Sequence, residues 1–349
     1  MKAQVYKIHS DFYYVKTETD ISKNMGNDLI ECKLREILKK QKIKVKVGDF
    51  VEIEKTGFIT ALLKRKNTLC RPSVSNLDTV VVVSSLMEPA VDFIQLNRYL
   101  TFLKYNKIET LLCFNKDDLM TKKELEKAKK EIYSIYKPLK YKILFTSALY
   151  NNGLDEFADL IKNKTIAFSG MSGVGKSSIL NAIANKNLKT GNVSLKNKRG
   201  THTTRHAEII EFNETKIIDT PGFSRLAFDF LLPKDLTNLF DDIKIFAKNC
   251  KYKDCLHTRK DDDCNVIKNL DKIPSSRYES YIRFLAETKE YKQKITYESK
   301  KKETAVKNFK EKNFVKISSK KRNLSRKSVK QTTKNFYYEN NGRNNDQGI

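Results

Sequence analysis

Gly170-Met171-Ser172-Gly173-Val174-Gly175-Lys176-Ser177 follows the apolar run Thr165-Ile166-Ala167-Phe168 and precedes Ile179-Leu180-Asn181-Ala182-Ile183-Ala184. Strand, glycine-rich turn ending in Lys-Ser, then helix is the context in which such a loop cradles phosphates. The glycines let backbone N–H groups curl around an anion, and the helix N-terminus adds partial positive charge. Lys176 reaches the β and γ oxygens, and the Ser177 hydroxyl suits Mg²⁺. Asn115-Lys116-Asp117-Asp118 and Thr146-Ser147-Ala148 lie upstream of this loop, while Asp219-Thr220-Pro221-Gly222 comes last. In the ordinary order the phosphate loop leads and the base-reading motifs close. The same site is assembled here from a circularly permuted chain, which compact domains tolerate because their termini tend to be close together.

Each motif carries a specific expectation. Asp118 can accept two hydrogen bonds from the ring N–H and exocyclic amine of guanine, whereas adenine would leave a costly unpaired carboxylate. Asn115 supports the base edge, Lys116 lies along the ring face, and the Ala148 N–H, beside Ser147, meets the guanine oxygen. Asp219 acts on Mg²⁺ through water, and the Gly222 N–H meets the γ-phosphate. Thr203 and Thr204 are the candidates for a switch threonine that ligates Mg²⁺ when GTP is bound, with Thr204 favoured by the form Thr-Thr-Arg. Phe223 stands where many such sites carry a water-orienting glutamine. His202, within Arg199-Gly200-Thr201-His202-Thr203-Thr204-Arg205, can take that role because imidazole binds water and titrates near neutral pH. The alternative is a loop histidine that touches RNA or solvent.

Around this centre the pattern of the 349 residues divides in four. Residues 1–66 read as short strands at period two: Gln4 to Ile8, Phe12 to Val15, and Val45 to Ile53 about a Gly48-Asp49 turn. An OB-type β-barrel that binds RNA fits, as would other small β-domains. Residues 67–227 alternate apolar strands with helices, the mark of a mostly parallel sheet and a P-loop GTPase domain. Glu208–Phe212 and Lys216–Ile218 read as a hairpin between the two switch regions. Residues 228–299 are mainly helical, with Ser276-Arg277-Tyr278-Glu279 matching a capping box. Residues 300–349 lose apolar periodicity and read as a disordered, Lys-rich basic tail.

Net charge is +26. From Lys300 to Ile349 there are fifteen Lys/Arg against four Asp/Glu, +11, which leaves +15 for the rest. A polyanion partner is the economical reading; a lysine-rich proteome is the other. No apolar run approaches a membrane span and no signal-peptide core opens the chain, so a cytoplasmic protein that does not engage membranes is expected, acting as a monomer.

Cys250-x4-Cys255-x-His257-x6-Cys264 gathers three of the six cysteines and one of the four histidines into fifteen residues. Three thiolates and an imidazole match one tetrahedral zinc per chain, and a full set of four protein ligands points to a structural role. Redox pairing is the alternative, disfavoured inside cells.

These motifs, together with Arg71-Pro72, Ser75-Asn76-Leu77-Asp78 and Leu96-Asn97-Arg98-Tyr99-Leu100, resemble the RsgA family of circularly permuted GTPases that act in late maturation of the small ribosomal subunit. The resemblance covers residues 1 to about 297. It implies GTP or GDP contacts at Asn115 to Asp118 and at Gly170 through Ser178. It also implies zinc at Cys250, Cys255, His257 and Cys264, Mg²⁺ at Ser177 and Thr204, and hydrolysis by His202 stimulated by the small subunit and its rRNA. The His257–Cys264 gap is one residue longer than the family pattern, Thr201 stands where a basic residue or glutamine often precedes the histidine, and the tail falls outside it. A nucleotide-gated RNA-binding scaffold with incidental hydrolysis is the competing reading.

Overall fold

The computed structural model describes residues 1–17, 29–69, 72–188, 207–212, 214–219, 226–258 and 263–304, with side chains for all but 184–188, 219 and 298–304. Alternation at period two gives the first five strands one apolar face each. Ala3 and Val5 of β1 (Lys2–His9), Val15 of β2 (Phe12–Thr17) and Cys32 and Leu34 of β3 (Ile30–Leu34) share a core with Val51 and Ile53 of β4 (Phe50–Ile53) and Ile59 of β5 (Phe58–Leu62). The strands pair in the order β1-β2-β3-β5-β4 and β4 returns to β1; only β3–β5 is parallel. Closure removes the exposed edges, and α1 (Glu36–Lys40) between the third and fourth strands completes the OB topology, its Leu38 entering the barrel core. Val45 to Val47 does not join the expected strand. The Asp49 carboxylate takes the Lys46 N–H at 2.7 Å, and Gly48 turns at φ +92, where a Cβ would lie 2.2 Å from the Ser75 carbonyl.

After the short pair β6 (Thr68–Leu69) and β7 (Val74–Ser75) the chain enters the α/β region. Val80 to Val83 of β8 (Thr79–Ser85) are at most 1% exposed, as a β-branched run covered on both faces requires. The remaining strands are β9 (Glu109–Asn115), β10 (Lys142–Thr146), β11 (Thr165–Ser169), β12 (Glu208–Phe212) and β13 (Thr215–Asp219). Their order is β10-β9-β8-β11-β13-β12, parallel except for the β12–β13 hairpin. The helices are α2 (Phe93–Tyr105), α3 (Lys122–Tyr136), α4 (Leu154–Ile161) and α5 (Lys176–Leu188). Asp92 caps α2 by accepting from the Gln95 N–H at 2.9 Å, and Thr121 with Glu124 forms a capping box on α3. The phosphate-loop strand β11 is fourth of six in chain order yet central in the sheet, the topological consequence of permutation. β8, β9, β10, β11 and β13 all end at the same edge of the sheet, where ligands of such sheets bind.

Barrel and α/β region share one sheet. β1 pairs with β12, Lys7 opposite Glu208, and the seam is closed by polar contacts. Glu211 accepts from Lys16 at 2.6 Å and from the Tyr6 hydroxyl, while Lys216 donates to Gln4 at 2.7 Å.

The described residues from Ala227 onward form a second compact unit, helical in α6 (Pro233–Leu236), α7 (Asp241–Ala247), α8 (Asn265–Lys268) and α9 (Ser275–Thr304). Its core is aromatic, with Phe284 packed on Phe228 at 4.7 Å and Phe240 edge-on to Tyr281 at 5.5 Å. Ser276 is not the cap of α9. The helix starts at Ser275, with the Arg277 N–H bonded to the Pro274 carbonyl at 2.9 Å, and Glu279 accepts from Arg283 at 2.7 Å. Proline, with φ preset for a helix start, sets the boundary. Lys and Glu, good helix formers, carry α9 to Thr304, five residues into the Lys-rich segment; 305–349 lies outside the described residues. Among those described, no helix is long and apolar enough to cross a membrane.

Candidate nucleotide site and metal centre

Gly170, Gly173 and Gly175 all take positive φ, +139, +80 and +97, conformations that side chains resist. Two of them also have no room for one: a Cβ would lie 2.1 Å from the Val83 carbonyl at Gly170 and 2.1 Å from Asn115 Nδ2 at Gly175. The loop is therefore laid backbone-first against β8 and the Asn115 side chain. Val174 is buried while Met171, Ser172 and Gly173 stand exposed at its crest, with Ser177 and Ser178 exposed on the first turn of α5. Lys176 Nζ donates to the Gly170 and Met171 carbonyls at 2.8 and 2.5 Å. Burial holds its ammonium below the ordinary lysine value, a penalty that an anion in the loop would offset.

Asn115, 2% exposed, ties three motifs together. Its Nδ2 donates to the Val174 carbonyl at 3.0 Å, and its Oδ1 accepts from Thr146 Oγ1 at 3.1 Å and from the Ala148 N–H at 3.2 Å. Phosphate loop and base loops are thus held in register by one amide. Lys116, at φ +66, reaches the Glu88 carbonyl at 2.5 Å.

The two adjacent acids separate. Asp117 is buried and accepts from Asn152 Nδ2 at 2.7 Å, and burial lifts its carboxyl above the usual range. Asp118 is half-exposed, and its carboxylate makes no hydrogen bond to described residues, so its acceptor oxygens are open to a ligand. Asn152 also pairs with Ser147 through two backbone bonds of 3.1 Å, which fixes the loop carrying Ala148. Asp219 ends β13 with its side chain undescribed; His202, Thr203, Thr204 and Gly222 lie outside the described residues.

In the second unit the donor atoms of Cys250, Cys255, His257 and Cys264 all lie within 4.8 Å of one another. Cys250 Sγ and Cys264 Sγ sit 3.6 and 3.7 Å from His257 Nδ1, and the Cys255 and Cys264 sulfurs are 3.7 Å apart. A tetrahedral ion with bonds of about 2.3 Å to sulfur and 2.0 Å to nitrogen sets S···S and S···N edges of about 3.8 and 3.5 Å, close to these distances. The cluster can hold a metal ion through Nδ1, and the longer His257–Cys264 gap does not prevent it.

Sequence reading missed the groups behind these ligands. Tyr278 and Tyr281, one turn apart on α9, donate to the carbonyls of His257 at 2.9 Å and Leu256 at 3.2 Å, bracing a turn in which His257 takes φ +56. Their helical spacing was legible, but not what their hydroxyls hold. Tyr278→Phe keeps the ring and removes the bond. It is expected to lower metal affinity about 10-fold, as loss of outer-shell partners does, read by chelator competition, with nucleotide binding unchanged.

The chain matches the family models for the RsgA N-terminal domain over residues 2–59 and the RsgA GTPase over 62–229. A Small ribosomal subunit biogenesis GTPase RsgA from Clostridium botulinum (strain Loch Maree / Type A3) is 36% identical over 294 residues, 82% of this chain and 97% of that protein. The chain belongs to the RsgA GTPase family. The Clostridium beijerinckii member is 38% identical over the same share. Among solved structures of the family, YjeQ from Thermotoga maritima superposes with a TM-score of 0.68 at 31% identity, covering 82% of this chain and 98% of that one. YloQ, described as a circularly permuted GTPase, gives 0.66 at 32%, covering 83% and 95%. A model named 50S ribosome-binding GTPase matches residues 165–305, starting on β11, where the phosphate loop begins.

Proposed function

We propose that this protein is a cytoplasmic, monomeric GTPase of small-subunit assembly that binds rRNA, hydrolyses GTP on the ribosomal particle and leaves it with GDP. The observation that carries the reading is the Asn115 amide, which joins Val174 of the phosphate loop to Thr146 and Ala148 of the base loop, next to the open carboxylate of Asp118. The domains are assigned as an RNA-binding barrel (1–66), a permuted GTPase domain (67–227), a zinc-binding helical domain (228–299) and a basic tail (300–349).

In this reading Gly170 to Ser178 wraps the phosphates. Lys176 exchanges its two carbonyl contacts for β and γ oxygens, so the charge that burial disfavours is neutralised where charge develops during transfer. Asp118 holds the guanine N–H and amine, the Ala148 N–H meets the guanine oxygen, and Lys116 covers the ring. Ser177, Thr204 and Asp219 would hold Mg²⁺, which when bound neutralises phosphate charge. Water attacks the γ-phosphorus, the bond from that phosphorus to the β–γ bridging oxygen breaks, and GDP and phosphate leave. Phe223 cannot orient that water, and His202 is assigned to do so. Cys250, Cys255, His257 and Cys264 would hold zinc, a structural staple for α7, α8 and α9.

GTP turnover with and without purified small subunits tests the reading: strong acceleration is expected, and a scaffold with incidental hydrolysis would bind without it. His202→Ala is expected to keep GTP affinity and to lose about 10²-fold of the stimulated rate. An unchanged stimulated rate would return His202 to a loop residue.

A further inference from the structure

Between Lys33 and Lys46 the chain carries seven Lys/Arg (33, 35, 39, 40, 42, 44, 46) against one acid, Glu36, a net +6 in fourteen residues. No other described stretch of that length is so unbalanced. The structure shows which of these charges are spent. Lys46 is buried and donates to Thr68 Oγ1 at 2.6 Å and the Leu69 carbonyl at 3.0 Å. Arg35 faces Glu54 at 3.3 Å, Lys39 pairs with Glu36 at 2.9 Å, and Lys33 lies over the Phe12 ring at 4.9 Å. Lys40, Lys42 and Lys44 are exposed and form no ion pair with the described residues; only Lys40 feels an acid, Glu36, which Lys39 already engages. They crowd the C-terminal end of α1, the helix that plugs one end of the barrel with Leu38.

We infer that this end of the barrel, centred on Lys40, Lys42 and Lys44, is a docking surface for the phosphate backbone of an RNA helix. The inference rests on the reading of the protein as a ribosome-assembly factor and adds where the barrel meets the RNA. OB barrels usually bind through the β2–β3 face and its loops. In this chain that face is close to charge balance, Asp11 and Glu31 opposing Lys33, and suits phosphates poorly. The α1 end has the opposite character. Lys40 at the end of the helix and Lys42 and Lys44 just beyond it, none of them over an aromatic ring among the described residues, suit phosphate contacts that position the protein without reading bases.

The exit turn supplies a test that separates binding from folding. Lys42 sits at φ +59, and the Lys42 and Ile43 N–H groups bond back to the Lys39 and Leu38 carbonyls at 2.9 and 3.1 Å. That is a helix C-cap geometry which favours glycine. Lys42→Gly relieves the backbone while removing a charge. It is expected to raise the melting temperature slightly and to weaken association with small subunits, two effects of opposite sign that no folding defect produces.

The full test uses the intact chain with Lys40→Ala, Lys42→Gly and Lys44→Ala combined, against purified small subunits and a mixed-sequence RNA duplex over a salt series. Both affinities are expected to fall about 10-fold or more at moderate salt, and the log–log salt slope to flatten by about 2 to 3, near one counterion per lysine. Lys122→Ala, Lys123→Ala and Lys127→Ala on α3 should leave both unchanged. Loss of subunit binding with duplex binding intact would mean a protein contact and overturn the inference. Unchanged subunit binding, alongside GTP-dependent binding by the wild type, would overturn it while the assembly reading stands. A wild type that neither binds subunits nor is stimulated by them would bring down both.

Discussion

Asp118→Ala is expected to weaken GTP binding by about 3–4 kcal/mol, some 10²–10³-fold, the scale of a pair of charge-assisted hydrogen bonds. Melting temperature should stay within a degree or two of the wild type, because the Asp118 carboxylate bonds to no described residue. Its neighbour behaves oppositely. Asp117 is buried on Asn152 at 2.7 Å, so Asp117→Ala is a stability variant that strands the Asn152 amide and affects nucleotide only through the loop. Base choice gives a sharper form of the same prediction. Asp118→Asn swaps an acceptor for a donor and should favour xanthine, which bears a carbonyl where guanine has its amine. Titrations with GTP, ATP and XTP measure this. Equal affinity of the wild type for ATP and GTP would remove Asp118 from its role.

The permuted order of motifs was legible because each motif is short, local and bounded by a strand or helix signal. Gly170 to Ser177 and Asn115 to Asp118 could be placed at strand ends with no knowledge of how the strands pair. Barrel closure was not legible: period-two alternation shows that one face of each strand is buried, not which strand covers the next. The parallel β3–β5 pair that settles the OB topology joins segments separated by α1 and β4. The capping-box pattern at Ser276–Glu279 forms no box, whereas Thr121 and Glu124 form one. A four-residue pattern cannot compete with Pro274, which dictates where its helix can begin. The seam of β1 with β12, and the Tyr278 and Tyr281 bonds to the metal loop, depend on side chains meeting across long sequence separations, Tyr6 with Glu211 for example. No local rule reaches that far.

That seam gives the permutation a mechanical consequence. β12 follows the segment holding His202, and β13 ends on Asp219, so in the proposed reading one hairpin joins the two segments assigned to the γ-phosphate. β1 of the barrel pairs with the same hairpin. A nucleotide-dependent shift of either segment would act on a hairpin to which the barrel is hydrogen-bonded.

Gly175→Ala is expected to have the largest effect on the nucleotide site, with GTP affinity reduced more than 10³-fold and ATP discrimination blurred. At φ +97 an alanine is strained by about 1–2 kcal/mol before any contact is counted. Its Cβ would also lie 2.1 Å from Asn115 Nδ2, so the amide must move. When it moves, the bond to the Val174 carbonyl breaks, and Oδ1 leaves Thr146 Oγ1 and the Ala148 N–H with it. Three buried or half-buried groups lose partners at about 1 kcal/mol or more each. Phosphate loop and base loop then lose their common register, which is why one methyl group should cost more than removal of the Asp118 carboxylate. Gly173→Ala is the internal control, since nothing lies within 4 Å of its Cβ position and φ is +80; only the backbone penalty remains. Nucleotide titration and thermal melting of the two variants side by side decide the matter. If Gly175→Ala binds GTP as tightly as Gly173→Ala does, the Asn115 amide is not what holds the site together.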